Sequence, residues 1–142
     1  MNGNTVTILV VDDDKVDRMA IRRSFRDLKI ANPVIEAGNG IEALEHLRGE
    51  NGCEKVPSPC LILLDLNMPR MGGIEFLEVL RSDPSLHRLV VFVMTTSAAE
   101  EDRTQAYDKN VAGYILKQRV GQDFLELISM LQLYWRVIQF PD

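Results

Sequence analysis

Five short apolar runs constrain this chain more than any other feature of it. Val6–Val11 (VTILVV), Cys60–Leu64 (CLILL) and Leu89–Met94 (LVVFVM) lack the apolar–polar alternation of a half-exposed strand, so each reads as a strand covered on both sides. Pro33–Ala37 and Gly113–Leu116 (GYIL) are shorter runs of the same kind. Segments of helical length lie between and after them. Lys15–Leu28 carries Val16, Met19, Ala20, Phe25 and Leu28 at roughly helical spacing, and Gly40–Arg48 places Ile41, Leu44 and Leu47 on one side. Ile74–Leu80 follows the pair Gly72 and Gly73, Ala98–Lys109 is a polar helix, and Phe124–Arg136 is the last helix before the tail Val137–Asp142. Gly49–Pro59 (GENGCEKVPSP) is dense in turn residues and reads as a loop.

Five strands alternating with five helices predict an α/β fold, a doubly wound parallel sheet with helices on both faces. The expected strand order is the flavodoxin-like 2-1-3-4-5. At 142 residues and 46% apolar composition the chain fits a single domain, residues 1–142, with a core over about 6–136 and a tail over 137–142. A net charge of −5 argues against nucleic-acid binding, which needs a basic face. Cys53 and Cys60 are too few for a disulfide scaffold, and the start MNGNTVTILVV lacks the cationic head of a signal peptide. No apolar run approaches the ~20 residues of a membrane span, so a cytoplasmic protein is expected.

The polar residues that end the strands carry the functional signal. The first strand runs into Asp12, Asp13 and Asp14, the third into Asp65, the fourth into Thr95, Thr96 and Ser97, and the fifth into Lys117. Parallel strands share one carboxyl edge, and ligands bind there, where the strand order reverses. In the expected order that point falls between the first and third strands, the two that end in Asp. Carboxylates gathered at one point repel unless a cation joins them, and oxygen ligands without His or Cys suit Mg²⁺. Lys117 and the Thr95 hydroxyl add two binders of phosphate oxygen, and together these groups compose a phosphoryl-transfer site. Asp65 is the candidate nucleophile, forming an aspartyl phosphate, while Asp14 reads as the cap of the helix that follows it.

ILVVDDD, LLDLNMPRMGG, VFVMTTS and GYILK resemble the four signatures of response-regulator receiver domains, and the resemblance runs from about Val6 into the last helix. It implies that Asp65 is the phosphoacceptor served by a sensor histidine kinase. It further implies that Asp13 and Asp65 bind Mg²⁺, that the Asn67 carbonyl adds a ligand, and that Asp12 acts through water. Lys117 would pair with the phosphoryl oxygens and Thr95 would bond them on activation, with Tyr114 as the aromatic that swings in behind. Members of the family usually carry Pro after the Lys, whereas Gln118 follows Lys117 here, so the loop Gln118–Gly121 should differ in shape. Asn67 and Ser97 fall where the family tunes phosphoryl lifetime. The long Gly49–Pro59 loop and the ending LYWRVIQFPD resemble the small stand-alone regulators that serve bacterial phytochromes.

From Phe124 to Phe140, 12 of 17 residues are apolar, more than the ~100° stripe that a helix on a sheet needs. The expectation is a homodimer built on the last helix, the fifth strand and the tail, with Leu131, Tyr134, Trp135, Ile138 and Phe140 at the interface. The function expected is a phosphorylation-activated signalling switch without an output domain. It would be no enzyme, beyond at most slow self-dephosphorylation. The alternative is an Mg²⁺-dependent phosphohydrolase working through an aspartyl phosphate, disfavoured because no insertion is large enough for a substrate cap.

Overall fold

The computed structural model describes residues 6–27, 29–66, 68, 71–95, 110–116 and 126. In chain order the elements are β1 (Thr7–Val11), α1 (Lys15–Asp27), β2 (Val34–Ala37), α2 (Gly40–Arg48), β3 (Cys60–Asp65), α3 (Gly73–Ser82), β4 (Val90–Thr95) and β5 (Gly113–Leu116). The five strands form one parallel sheet in the order β2-β1-β3-β4-β5, as the run pattern predicts. The expected helices Ala98–Lys109 and Phe124–Arg136 lie outside the described residues, apart from Glu126 in the second, which is helical.

Between Thr7 and the polar ends Asp65 and Thr95 the central strands are apolar, because both faces of the sheet are covered. Leu9, Val11, Ile62, Leu64, Val91 and Val93 point to the face packed by α2 and α3, where Ala43, Leu44, Leu47, Phe76, Leu77 and Leu80 meet them. Ile8, Val10, Leu61, Leu63, Phe92 and Met94 point to the other face, to which α1 contributes Ile21 and Phe25. At roughly 1.5–3 kcal/mol for each large aliphatic or aromatic side chain buried, these two clusters dominate what holds the layers together.

Two sequence-level expectations need correction. Of the described apolar residues chosen for the first helix only Phe25 lies on its core face: Val16 and Met19 are 71% and 51% exposed, and Ala20 is exposed too. At about 100° per residue Val16, Met19 and Ala20 fall on the side of the helix opposite Ile21 and Phe25, so the reading merged two stripes. Element ends also shift by a residue or two. Pro33 stands outside β2, for its nitrogen has no hydrogen to give a ladder, and β3 and β4 run one residue further, through Asp65 and Thr95. Gly73 begins α3 with Gly72 as its N-cap, where the expected start was Ile74.

Candidate metal and phosphoryl site

Asp12 follows β1 directly and Asp65 closes β3. Because Val11 pairs with Leu64, the next residue on each strand lies beside the other at the carboxyl edge. The strand order reverses between these two strands, so the acidic residues stand at the switch point. One carboxylate oxygen from each of Asp12, Asp13 and Asp65 lies within 4.8 Å of the other two. Asp12 and Asp65 are 0% and 2% exposed, whereas Asp13 is open to solvent.

The backbone around this cluster is fixed by hydrogen bonds that the strand–loop–helix turn supplies. The Asp12 amide donates to the Ala37 carbonyl (3.0 Å), and Asp12 Oδ1 accepts from the Asp14 amide (2.9 Å). Asp14 Oδ1 accepts from the Val16 amide (2.8 Å) and its carbonyl accepts from the Arg18 amide (3.0 Å). Asp14 therefore caps α1, as expected of an Asp at this position, and stays out of the acidic cluster. Arg18 Nη1 donates to the Asp12 carbonyl at 2.6 Å, and Arg18 Nε donates to Glu36 Oε1 at 2.9 Å. Arg22 Nε holds the other Glu36 oxygen, and Arg22 Nη2 donates to the Val34 carbonyl (3.1 Å). Partial burial pushes the Glu36 carboxyl up, but the hydrogen bonds from Arg22 and then Arg18 outweigh it and hold its pKa below the ordinary value.

Beyond β3, the chain turns over Met68, which is buried, and Met71, which adopts φ 70°. The return into α3 is so close that a Cβ on Gly73 would stand 2.5 Å from Leu66 Cα and 2.7 Å from the Asp65 carbonyl oxygen. The Gly73 amide donates to the Leu66 carbonyl (3.1 Å). Gly73 and Arg18 thus shape the site without contributing ligands, and residue-type patterns did not point to either. At the site itself Arg18 meets the Asp12 carbonyl and Gly73 meets the backbone of Leu66 and Asp65, and main-chain atoms leave no mark in a pattern of side chains.

The other predicted site residues fall as follows. Thr95 ends β4 one step beyond Met94, the partner of Asp65, and pairs with Leu116. Tyr114 is half-buried in β5, opposite Val93, and packs on the cluster shared with α2 and α3. Lys117 directly follows β5, but it and Asn67 lie outside the described residues, as do Leu131, Tyr134, Trp135, Ile138 and Phe140. Cys60 opens β3 in the core, where burial pushes its thiol up to about 12 and keeps it protonated at neutral pH.

The site's chemistry follows from charge. Two carboxylate oxygens within 4.8 Å of each other repel by roughly 3 kcal/mol or more at an effective dielectric near 20. A donor set made only of oxygens, two of them from buried residues, fits a hard divalent cation that keeps some of its water. Such a site, open on one side at Asp13, can also admit an anionic group to Asp65.

A five-stranded parallel sheet with this acidic cluster at its switch point defines a class of protein that binds at the β1/β3 edge. The family model for the response regulator receiver domain matches residues 8–129, and the chain belongs to that family. It is 33% identical over 128 residues to response regulator Rcp1 of Synechocystis sp., covering 90% of this chain and 87% of that one. The solved Mn(2+)-bound form of Rcp1 superposes with a TM-score of 0.77 at 31% identity, covering 96% of this chain and 99% of that one. The phosphorylated cyanobacterial phytochrome response regulator RcpA gives 0.78 at 32% identity, with 96% and 98% covered. The bacteriophytochrome response regulator RtBRR also gives 0.78 at 32% identity, with 96% and 83% covered.

Proposed function

We propose that this chain is a phosphorylation-activated switch of a two-component system, in which Asp65 accepts a phosphoryl group from a sensor histidine kinase. The observation that carries the reading is the convergence of Asp12, Asp13 and Asp65 at the sheet's switch point. An Asp65 carboxylate oxygen attacks the phosphorus of a phosphohistidine. The new P–O bond forms as the P–N bond breaks, and the imidazole leaves with its electron pair and takes up a proton.

Asp12, Asp13 and Asp65, with the Asn67 carbonyl, would hold Mg²⁺, which when bound neutralises charge on the phosphoryl oxygens. The Mn(2+)-bound form of Rcp1 supports a divalent ion in this fold. Lys117 pairs with the phosphoryl oxygens, Thr95 bonds one of them, and Tyr114 moves inward behind it, shifting a pre-existing equilibrium between two states. The chain acts as one domain and signals by protein contact, and it releases its own phosphoryl group slowly at most.

The kinase partner in this reading is a bacterial phytochrome, because Rcp1, RcpA and RtBRR are the kind of regulator this chain is similar to. A homodimer through the fifth strand, the last helix and the tail completes the proposal. Incubation with a phosphorylated sensor histidine kinase tests it. The wild type should be labelled in Mg²⁺ and not in chelator, and Asp65→Asn should take no label. Label retained on Asp65→Asn refutes Asp65 as the acceptor, and many turnovers of a generic phosphate ester would favour a phosphohydrolase instead.

A further inference from the structure

The sequence contains three Asn-Gly pairs, Asn2–Gly3, Asn39–Gly40 and Asn51–Gly52, the first outside the described residues. Asn followed by Gly is chemically special because the next amide nitrogen is unhindered by a side chain and can attack the Asn carboxamide. The fold treats the two described pairs in opposite ways.

Asn39 is the N-cap of α2, with extended backbone, and its Oδ1 accepts from the Glu42 amide at 2.8 Å. Gly40 is buried, and a Cβ there would stand 2.7 Å from Met71 Cγ. Bringing the Asn39 side chain onto the Gly40 nitrogen would break the cap and unwind a helix start packed against the loop beyond Asp65. Asn51 and Gly52, by contrast, are both exposed at the head of the 49–59 loop. They are the two central residues of a turn closed by the Cys53 amide on the Glu50 carbonyl (3.0 Å), with φ of 54° and 83°, the type I′ geometry that favours this dipeptide. A Cβ on Gly52 would meet nothing within 4 Å, so its amide is open to approach and to solvent. The Asn51 amide group donates to the Glu45 carboxylate.

We propose that Asn51 is a site of spontaneous deamidation, and that Asn39 is shielded from the same reaction by its place at the start of α2. The Gly52 nitrogen, giving up its proton, attacks the Asn51 side-chain carbonyl carbon. The carbon–NH₂ bond breaks, ammonia departs with the proton, and a five-membered imide remains. Water opens the imide at one of its two carbonyls, leaving an aspartyl or an isoaspartyl residue at position 51. One water is consumed and one ammonia released, with no change of oxidation state. The product faces Glu45 with a carboxylate where it had offered a donor, and the chain gains a negative charge beside Glu50. The isoaspartyl form also adds a backbone methylene inside a two-residue turn. The 49–59 loop is thereby loosened from α2, irreversibly and at the pace of the slow attack by the Gly52 nitrogen.

Ageing the intact chain at mildly alkaline pH, followed by tryptic mapping against an unaged sample, tests the assignment. Cleavage after Arg48 and Lys55 isolates residues 49–55, and cleavage after Lys29 and Arg48 isolates residues 30–48. The 49–55 peptide should gain the amide-to-acid mass with age and split into aspartyl and isoaspartyl forms, while 30–48 stays unchanged. Asn51→Gln, confirmed folded by circular dichroism, should abolish the gain. An unaltered 49–55 peptide in the aged chain, or equal rates for the two peptides, overturns the proposal.

Discussion

Gly73 matters because it lacks a side chain at a point where two main-chain segments nearly touch. Its φ is not left-handed, so any residue could adopt its backbone conformation; what excludes them is the 2.5 Å between its missing Cβ and Leu66 Cα. Gly72, one residue earlier, has 3.5 Å of clearance to the Met68 carbonyl, an ordinary contact. Ala at a helix start is intrinsically better than Gly by up to about 1 kcal/mol. Overpacking against main-chain atoms costs about 1–3 kcal/mol, so the clash prevails at Gly73. Gly73→Ala should lose about that much stability in urea unfolding and should slow the phosphoryl transfer proposed for Asp65, because Leu66 and the Asp65 carbonyl must move. Gly72→Ala, which meets no clash but gives up an N-cap Gly, should cost less than that and leave the phosphoryl transfer unchanged. The sequence displays a Gly-Gly pair after LNMPRM, but not which of the two is indispensable. The place of Asp65 in the acidic cluster was legible for the opposite reason, since a carboxylate ending a run of buried aliphatic residues has no packing explanation.

At the scale of elements, α1 and β2 are joined by charge as well as by apolar contact. Arg18 and Arg22, one turn apart on the helix, close on the two oxygens of Glu36, and Arg18 also reaches the Asp12 carbonyl. Glu36 has a folded pKa below the ordinary 4.5, so the unfolded chain takes up its proton at higher pH than the folded chain does. Its stabilising contribution is thus fully present above pH 4.5 and is lost as pH falls through the folded value. The stability difference between wild type and Glu36→Gln should hold constant from neutral pH down to about 4.5 and then shrink towards zero. Urea unfolding of both proteins across that range measures it, and a difference that persists unchanged at low pH would refute the coupling. Asp83, likewise held low by the Ser85 amide and Arg48, titrates in both proteins and cancels. The strands themselves were legible because buried parallel strands leave continuous apolar runs. The facing of α1 was not, for its apolar residues form two opposed stripes, and the choice between them rests on the sheet that Ile21 and Phe25 meet.

For the molecule as a whole, assembly turns on how much apolar surface the chain carries beyond what its own sheet takes. The face of the sheet that carries Ile8, Val10, Leu61, Leu63, Phe92 and Met94 receives Ile21 and Phe25 from α1. A helix packed on this face needs an apolar stripe of only about 100°. The expected last helix and the tail, from Phe124 through Phe140, have 12 apolar residues in 17, more than such a stripe takes. Large aromatic side chains bury about 150–250 Å² each, so Tyr134, Trp135 and Phe140 alone reach roughly 600 Å². Leu131 and Ile138 bring that towards the ~800 Å² per partner of a stable interface, and a twofold axis uses the same patch twice. Wild-type chain at tens of micromolar should therefore scatter light as a dimer. Trp135→Glu, placing a charge at the centre of that patch, should weaken association by roughly 30-fold or more, as loss of a central aromatic anchor does. A wild type that stays monomeric both with and without a phosphoryl donor would refute the dimer. It would then follow that the tail folds back on its own domain, and Trp135→Glu would lower the unfolding midpoint in urea instead.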